Sequence, residues 1–471
     1  MDKAEKASLQ IKKSDKIVLF SHIDADGITS GAISLKSILD YDKNKDVVLI
    51  SKDTLTEEMT QKIMNMNPDT VWFSDIGSGE EYMKNIKKYL LDNKINVIIT
   101  DHHNPKDITH SYLYHINPEV YGGSGDVNMS GATATYLVGK NLTKEKELIP
   151  LVITGSVGDL QAKENGKLVG MNRKVLEKGM RKGIVKKKKG FLLFARSYKS
   201  ISVVLSNYFP IYVEEFSDLS KVSSILGSEI DLTDENDNWR NYDDLSDEER
   251  EKVREVITEF LLEKGVSPEK IQSCIGEYYY FPNNDKNTMM KYADEWATLI
   301  NAASRGGGKP NIAVLTSLGD KESYKEAEEL KKEYSKQIRD AIEYIKGVPD
   351  ALSHKNIISY AILPEDFPIA STGSVAGIVG NSEFIPDNSK LMIVIGIDNE
   401  SNNYHISVRK IGNYLEDLEL GELLEKVGKK ISDEGGGGHK DAGAMEISKN
   451  KMEVDDIIES ISEEVNDIIE N

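Results

Sequence analysis

Carboxylates and imidazoles recur in this sequence directly after short apolar runs. The runs are KIVLF, TVWF and VIIT, and the side chains that follow them are His22, Asp24, Asp26, Asp75, Asp101, His102 and His103. Asp159 ends a longer apolar segment, VITGSVGDL. Alone, an aspartate after a strand is most simply a turn or a helix cap. Crowded carboxylates, however, raise one another's pKa unless a cation lies between them. The set therefore predicts a divalent-metal site.

The available ligand atoms indicate which metal and which reaction. The chain has one cysteine, Cys274, which excludes a zinc site built from several thiolates. Carboxylates and imidazoles favour Mn²⁺, with Mg²⁺ and Co²⁺ as alternatives. Asp24 and Asp26 are separated by one residue, so in an extended turn their side chains diverge and serve two neighbouring sites. Two metals about 3.5–4 Å apart activate water and stabilise the leaving oxygen in phosphoester hydrolysis. We therefore interpret the N-terminal part as a binuclear hydrolase.

The elements that must position these residues alternate along the N-terminal part. Apolar runs such as KIVLF, TVWF and VIIT are separated by amphipathic segments such as ITSGAISLKSILDY and EEYMKNIKKYLLDN. This order predicts crossover units and a mainly parallel sheet. Ligand sites of such sheets lie beyond the carboxyl ends of the strands. Three neighbouring strand ends are therefore expected to bring His22, Asp75 and His102 to one rim.

The patterns divide the chain into three regions of an α/β fold. Residues 1–180 are predicted to form the parallel-sheet domain. Residues 181–284 are predicted to be a helical connecting or insert region, with Ser246 and Glu249 as a capping box. Residues 285–471 are predicted to form a mixed-sheet α/β domain. Its apolar runs include PNIAVLTSL, and KLMIVIGID and NYHISVRKI are predicted to pair as a hairpin.

Composition excludes several classes of protein. No apolar run approaches the roughly 18–20 residues that span a bilayer, and the first segment, MDKAEKASLQIKKSDK, lacks the apolar core of a secretion signal. We therefore expect a cytoplasmic chain with no membrane partner. The net charge of −20 argues against a broadly basic nucleic-acid coat. It leaves open a metal-lined cleft with local basic patches, since a bound divalent ion is itself a large positive charge. No pattern indicates an oligomeric state.

At this point the motifs resemble a known family. HIDADG, SDIG, TDHH and GSVGD resemble the four ordered motifs of the DHH phosphoesterase superfamily. GGGGHKDAGAM resembles the glycine-rich motif of the DHH-associated substrate-binding domain, and DEWATLINAASRGG and YHISVRK resemble further segments in RecJ-type nucleases. Within the superfamily, the layout is similar to archaeal RecJ-like single-strand exonucleases, including the GINS-associated nuclease. The region of about 190–280 resembles no motif that we can assign.

The resemblance implies a role for each motif residue. It implies that His22 and Asp24 bind one Mn²⁺, that Asp26, His102 and Asp159 bind a second, and that Asp75 bridges the two. Asp101 is implied to hold an imidazole in the right tautomer. His103 is implied to face the substrate phosphate or to protonate the leaving group. The metal-activated water would then attack phosphorus in line.

Substrate-binding residues are implied further along the chain. The backbone of Gly436, Gly437 and Gly438 and the imidazole of His439 are expected to contact an anion, although a glycine-rich hinge is the simpler alternative. Arg409 and Arg305 are candidate phosphate clamps, although an exposed arginine is ordinary. The run Lys186–Lys189 tracks a nucleic-acid backbone or is a solvated linker. The segment TGSVAGIVG offers helix N-terminal amides to phosphate, or its small residues only allow close packing.

The leading hypothesis is therefore a metal-dependent exonuclease that degrades single-stranded DNA or RNA to mononucleotides, in DNA replication and repair or in RNA processing. One alternative is a phosphodiesterase for short oligonucleotides or cyclic dinucleotides. Another is a scaffold subunit that binds the GINS complex, since a eukaryotic replicative-helicase subunit resembles the family without its catalytic function. All six predicted metal ligands are present, which favours activity. The motifs indicate neither the polarity of degradation nor the choice of sugar.

Overall fold

Five parallel strands form the N-terminal sheet in the computed structural model of the chain. They are β1 (Lys16–Ser21), β2 (Asp46–Ser51), β3 (Thr70–Ser74), β4 (Asn96–Thr100) and β5 (Leu113–Ile116). Their order across the sheet is β2-β1-β3-β4-β5, and every neighbouring pair is parallel. The apolar residues of β1, β3 and β4 are fully buried, as expected for a sheet covered on both faces. The predicted parallel sheet is confirmed.

The structure describes residues 2–106, 108–162, 165–211, 213–382, 384–386, 388–398, 401–412, 415, 418–431 and 436–470. Contacts divide the chain into two compact units after Leu330. The segment 285–330, which the sequence patterns assigned to the third region, therefore belongs to the first unit. Within the described residues, no helix combines the length and the apolarity needed to cross a membrane.

Helices cover both faces of the N-terminal sheet and continue beyond it. They are α1 (Lys3–Lys13), α2 (Ala25–Tyr41), α3 (Glu57–Asn65), α4 (Glu80–Ile86), α5 (Gly131–Gly139), α6 (Glu145–Gly158) and α7 (Gly170–Arg181). The apolar segment before Asp159 is thus the helix α6. It packs with α2 and α5 in one apolar cluster that includes Ile28, Ala132 and Val152.

The middle of the chain combines helices with a two-stranded ribbon. The helices are α8 (Ile201–Tyr208), α9 (Leu219–Gly227), α10 (Asp247–Glu263) and α11 (Pro268–Ser273), and the strands are β6 (Lys186–Phe191) and β7 (Ile275–Tyr280). Ser246 and Glu249 form the predicted capping box at the start of α10. Lys186–Lys189 pairs with Tyr280–Glu277 in an antiparallel register, so the alternative of a solvated linker was wrong for this run.

Three helices follow in the chain: α12 (Ala293–Asn301), α13 (Pro310–Ser317) and α14 (Lys321–Gly347), whose C-terminal part lies beyond the boundary at Leu330. A π-helical turn, Ala302–Gly306, follows α12 directly. The run PNIAVLTSL, which the sequence patterns assigned to the third region, forms α13 and lies in the first unit. A short apolar run fits a buried helix as well as a buried strand, and Pro310 at its first turn suits a helix start.

The second unit contains a six-stranded mixed sheet. Its strands are β8 (Leu352–Lys355), β9 (Ile358–Ile362), β10 (Leu391–Asp398), β11 (Asn403–Lys410), β12 (Gly436–His439) and β13 (Ala442–Ser448), in the order β12-β13-β11-β10-β9-β8. Its further helices are α15 (Thr372–Gly380), α16 (Leu420–Ile431) and α17 (Val454–Glu470). β10 and β11 pair antiparallel and β9 and β10 pair parallel. The predicted mixed sheet and its hairpin are confirmed.

Candidate metal centre

Three adjacent strands bring their carboxyl ends level with one another. Ser21 of β1 pairs with Ser74 of β3, and Ser74 pairs with Thr100 of β4. The residues that follow these strands therefore lie side by side at one edge of the sheet. They are His22, Asp75, Asp101, His102 and His103. Two helix ends meet the same edge: α2 begins with Asp24 as its N-cap and contains Asp26, and α6 ends with Asp159 as its C-cap.

One group of possible metal ligands consists of His22, Asp24 and Asp75. The Nδ1 atom of His22 lies 3.0 Å from Oδ2 of Asp24 and 3.6 Å from Oδ2 of Asp75. These donor atoms belong to residues 22, 24 and 75, so the strand ends of β1 and β3 and the start of α2 all contribute. This is the trio that the sequence motifs assign to one metal and its bridge.

A second group consists of Asp26, His102 and Asp159. The Nε2 atom of His102 lies 3.9 Å from Oδ2 of Asp26 and 3.5 Å from Oδ2 of Asp159. The same Nε2 atom lies 3.3 Å from Oδ1 of Asp75. Asp75 therefore faces the first group with Oδ2 and the second with Oδ1, the arrangement expected of a carboxylate that bridges two cations.

Local backbone geometry holds these residues close together. Asp75 has φ of 61°, in the left-handed region that non-glycine residues seldom occupy and that is common where backbone strain serves a site. Gly27 lies so near residue 22 that a Cβ atom there would be 2.5 Å from the carbonyl carbon of His22. The backbone N–H groups of Gly131 and Ala132, at the start of α5, donate to Asp26 over 2.6 and 2.9 Å.

The electrostatics of the two groups favour a bound cation. Burial raises the pKa of Asp26, and the carboxylates of Asp75 and Asp159 raise it further, well above its ordinary value. Burial lowers the pKa of His102, but Asp159, Asp75 and Asp26 outweigh burial and hold that pKa well above its ordinary value. Both raised pKa values result from an excess of negative charge in a site shielded from water. A divalent cation would relieve this excess.

Two buried atoms, one facing each group, have unused coordinating capacity. Oδ1 of Asp75 and Nδ1 of His22 are buried and accept no hydrogen bond from any described residue. Burying such atoms costs free energy unless a partner is present. A metal ion supplies that partner, so the residues at this edge of the sheet fit a metal centre.

The imidazoles of His22 and His102 each have one ring nitrogen close to the carboxylates, and the other ring nitrogen lies beside a hydrogen-bond partner. Nδ1 of His102 lies 2.9 Å from the carbonyl oxygen of Gly125, and Nε2 of His22 lies 3.1 Å from Oδ1 of Asp53. Partners of this kind set the tautomer and the ring orientation of metal-binding histidines. The hydrogen-bonding groups at the two far nitrogens thus leave Nε2 of His102 and Nδ1 of His22 to face a metal.

His103 and Asp101 form a pair beside the cluster, and His103 also forms a third group of possible metal ligands with Asp75 and His102. Nδ1 of His103 lies 2.7 Å from Oδ1 of Asp101, and the other carboxylate oxygen accepts the backbone N–H of Ser78 over 2.9 Å. Burial raises the pKa of Asp101, but His103, His102 and the Ser78 N–H outweigh it and hold that pKa well below its ordinary value. The His103 side chain is 35% exposed. It is therefore oriented by Asp101 while it remains accessible to a ligand.

Arg305 reaches the centre from the π-helical turn after α12. Its Nη2 atom lies 3.4 Å from Oδ2 of Asp24 and 3.6 Å from Oδ1 of Asp53. Burial raises the pKa of Asp24, but His22 and Arg305 outweigh burial and keep that pKa well below its ordinary value. An arginine at the rim of a metal site is well placed to meet a phosphate oxygen.

Asp53 is a site residue that the sequence motifs do not include. It lies two residues beyond the end of β2, and its hydrogen bond with His22 lowers its pKa. The rule that ligand sites lie beyond parallel strand ends would have included it, because β2 neighbours β1. Gln161 was missed as well, and its Nε2 atom donates to Oδ2 of Asp159 over 2.8 Å.

The other candidate residues lie in the second unit. Arg409, on β11, donates from Nη1 to the carbonyl oxygen of Val408 over 2.8 Å, and its Nη2 atom lies against Gly373 in the first turn of α15. Gly436, Gly437 and Gly438 form most of β12, and Gly438 has φ of +148°, which favours glycine. The side chain of His439 lies outside the described part of the chain, so its predicted contact with substrate stays a prediction.

Comparisons with known proteins agree with this architecture. Residues 16–156 match the family model described as the DHH family, N-terminal domain, and residues 357–470 match the DHHA1 domain. A search of curated protein sequences gave no significant match.

Several solved structures share the fold at low sequence identity. RecJ from Thermus thermophilus, in complex with Mn²⁺, is 16% identical with a TM-score of 0.58, and the match covers 98% of this chain and 55% of that one. This chain thus spans about half the length of that protein. An exonuclease RecJ bound to manganese is 16% identical with a TM-score of 0.55, covering 98% and 94% of the two chains. CDC45 from Entamoeba histolytica is 13% identical with a TM-score of 0.61, covering 97% and 96%.

Proposed function

Because this chain belongs to the DHH phosphoesterase superfamily, we propose that it is a divalent-metal-dependent phosphodiesterase, and specifically an exonuclease that degrades single-stranded DNA or RNA to mononucleotides. The observation that carries this proposal is the position of Asp75. Its two carboxylate oxygens face two separate ligand groups, His22 with Asp24 and His102 with its partners. A two-metal centre needs such a shared ligand.

The ligand set suits two Mn²⁺ ions, with Mg²⁺ or Co²⁺ as alternatives. His22 and Asp24 would hold one ion, and Asp26, His102 and Asp159 the other. Bound cations would act as Lewis acids that activate water and neutralise charge on the phosphate. The oxygen and imidazole donors, without any thiolate, match the preference of these ions.

The remaining groups of the centre would bind and orient the substrate. Arg305 would bind a non-bridging phosphate oxygen from the side of Asp24. Asp101 fixes the His103 ring through Nδ1, which leaves Nε2 of His103 to donate a hydrogen bond to the phosphate or a proton to the leaving oxygen. In the second unit, Arg409 and the backbone N–H groups of Gly436–Gly438 are the proposed contacts for the rest of the strand.

The experiment uses purified protein with Mn²⁺ and four single strands, DNA and RNA labelled at either end. We expect release of labelled mononucleotides from one end of at least one strand, and we expect chelation of the metal to stop it. Asp75→Ala should abolish hydrolysis, because both ligand groups lose their shared carboxylate. Asp92→Ala, which removes an exposed carboxylate paired with Lys87, serves as the matched control. Full activity in a folded Asp75→Ala protein would refute the two-metal proposal.

The same assay, with short oligonucleotides and cyclic dinucleotides beside the four long strands, distinguishes the alternative substrates. An enzyme for short oligonucleotides or cyclic dinucleotides would leave long strands intact and hydrolyse only the short compounds. Such a result would keep the phosphodiesterase and remove the exonuclease.

We also propose that the chain binds the GINS complex, as a partner and not as a substrate. It is supported by the sequence resemblance to the GINS-associated nuclease and by the likeness to CDC45 across 97% of the chain. Co-purification with GINS that survives Asp75→Ala would establish a partnership independent of catalysis. Failure of wild-type protein to bind purified GINS would exclude it.

A further inference from the structure

One segment of the first unit carries a charge opposite to that of the whole chain. Residues 167–189 contain ten basic side chains and one acidic side chain, so the segment has a net charge of +9 in a chain of net charge −20. The segment includes α7 and most of β6. Carboxylates of the protein pair with part of this charge, Glu277 with Arg173 and Lys187 and Asp247 with Lys188. Basic side chains at this density repel one another where no anion faces them.

Helix α7 presents part of this charge as a stripe. Lys174, Lys178 and Arg181 follow one another at i, i+4 and i+7, which places them on one face of the helix. Lys174 and Arg181 are exposed. Among the residues that the structure describes, neither forms an ion pair. Their charge is therefore available to a ligand.

The stripe continues into a cavity of about 530 Å³ beside the start of α6. The residues that line this cavity are Lys144, Glu145, Lys146, Lys182 and Ile184. Glu145 accepts from Nζ of Lys182 over 3.0 Å and also from Lys178. The single carboxylate of Glu145 thus binds two ammonium groups, and they neutralise its negative charge. Lys144 and Lys146 are exposed, so the cavity keeps a clear positive charge.

The cavity is remote from the candidate metal centre. It adjoins Glu145 at the first turn of α6, whereas Asp159 caps the other end of the same helix. The helix has 14 residues, and a rise of about 1.5 Å per residue separates its ends by about 21 Å. A phosphate bound in the cavity is therefore distinct from the phosphate that is hydrolysed.

We propose that this basic groove, defined as Lys144, Lys146, Lys174, Lys178, Arg181 and Lys182, binds the backbone phosphates of a single-stranded nucleic acid away from the point of cleavage. The proposal rests on the proposed function and names a second contact for its polymeric substrate. Lysine ammonium groups bind phosphates without reading the base sequence. The cavity lining includes one apolar residue, Ile184, whereas a protein interface has an apolar core from which charged residues are depleted. Nucleic acid is therefore favoured over an acidic protein.

The test combines three substitutions, Lys144→Gln, Lys146→Gln and Lys182→Gln, in one variant. Binding of a labelled long oligothymidylate is followed by fluorescence anisotropy in EDTA over a series of salt concentrations, so that hydrolysis does not interfere. Each phosphate contact contributes about 0.7 to the slope of log K against log salt for a single strand. Loss of three contacts should reduce that slope by about 2 and weaken binding at low salt.

A matched variant carries Lys62→Gln, Lys84→Gln and Lys325→Gln. These lysines lie on other helices of the first unit, with side chains 67%, 59% and 70% exposed. We expect this variant to bind with the wild-type slope, and thermal unfolding should show that both variants are folded. An unchanged slope in the groove variant, or an equal change in the matched variant, would overturn the proposal.

Two further measurements assign the ligand and separate this inference from the proposed function. Displacement of oligothymidylate by polyglutamate at equal charge concentration would assign the groove to an acidic protein and overturn the proposal. Hydrolysis of a thymidine dinucleotide with Mn²⁺ reports on the metal centre alone, and we expect the groove variant to match wild type. If wild-type protein hydrolyses no phosphodiester, the proposed function fails, while the anisotropy result still decides whether the groove binds nucleic acid.

Discussion

Replacement of Asp53 should weaken one metal site and leave the other unchanged. Nε2 of His22 lies 3.1 Å from Oδ1 of Asp53, and Nδ1 of the same ring faces Asp24 and Asp75. Asp53→Asn removes the carboxylate that holds the His22 ring in its metal-facing tautomer. The other ligand group, Asp26, His102 and Asp159, is held by Gly125, Gly131 and Gln161 and should bind as before.

The size of the effect can be estimated from the equivalent hydrogen-bond partners of metal-binding histidines in other proteins. Their loss costs about 10- to 100-fold in metal affinity or activity, which corresponds to about 1.4–2.8 kcal/mol. The Asp53 side chain is 62% exposed, so solvent screens the interaction and the lower end is expected. We therefore expect about a tenfold loss of Mn²⁺ affinity at one of two sites.

Calorimetric titration with Mn²⁺ measures the two sites separately. Wild-type protein and Asp53→Asn should share one binding step and differ in the other, and activity at limiting Mn²⁺ should fall in parallel. High Mn²⁺ should restore the activity, since the site is weakened and not removed. Asp46→Asn, at the exposed opposite end of β2, is the matched control. Two unchanged binding steps with full activity at limiting Mn²⁺ would refute the reasoning.

Three further predictions concern packing and buried charge. Gly27→Ala should reduce stability by about 1–3 kcal/mol and weaken Mn²⁺ binding, because the added Cβ would lie 2.5 Å from His22; a wild-type urea midpoint would contradict this. Arg196→Met should cost about 3–5 kcal/mol in urea unfolding, since the buried guanidinium bonds Asp294 over 2.7 Å. Burial raises the pKa of Glu295 to about 8. Folded protein then keeps a proton that the unfolded chain releases, so stability should fall as pH rises from about 4 to 8. Glu295→Gln should flatten that dependence.

The sequence by itself determined the parallel sheet and which residues lie at its edge. Strand ends could be located because a buried parallel strand is a short, continuous apolar run. The residues after each run were therefore expected at the carboxyl edge of the sheet. His22, Asp75 and His102 lie at that edge in the structure. The hairpin of β10 and β11 was equally accessible, because two strands joined by a short polar link pair locally.

Only the tertiary structure decided which groups orient the candidate metal ligands. Gly125 meets His102, Asp53 meets His22, and the Asn301 side chain accepts the backbone N–H of Ala25 across 276 positions of chain. No local pattern encodes such pairs, because each depends on where distant elements pack. The basic groove also depends on tertiary packing. Its lysines lie on or next to α6 and α7, and Glu145 of α6 accepts hydrogen bonds from Lys178 and Lys182. The element formed by the run PNIAVLTSL was likewise left to the tertiary structure, because periodicity alone does not distinguish a short apolar helix from a short apolar strand.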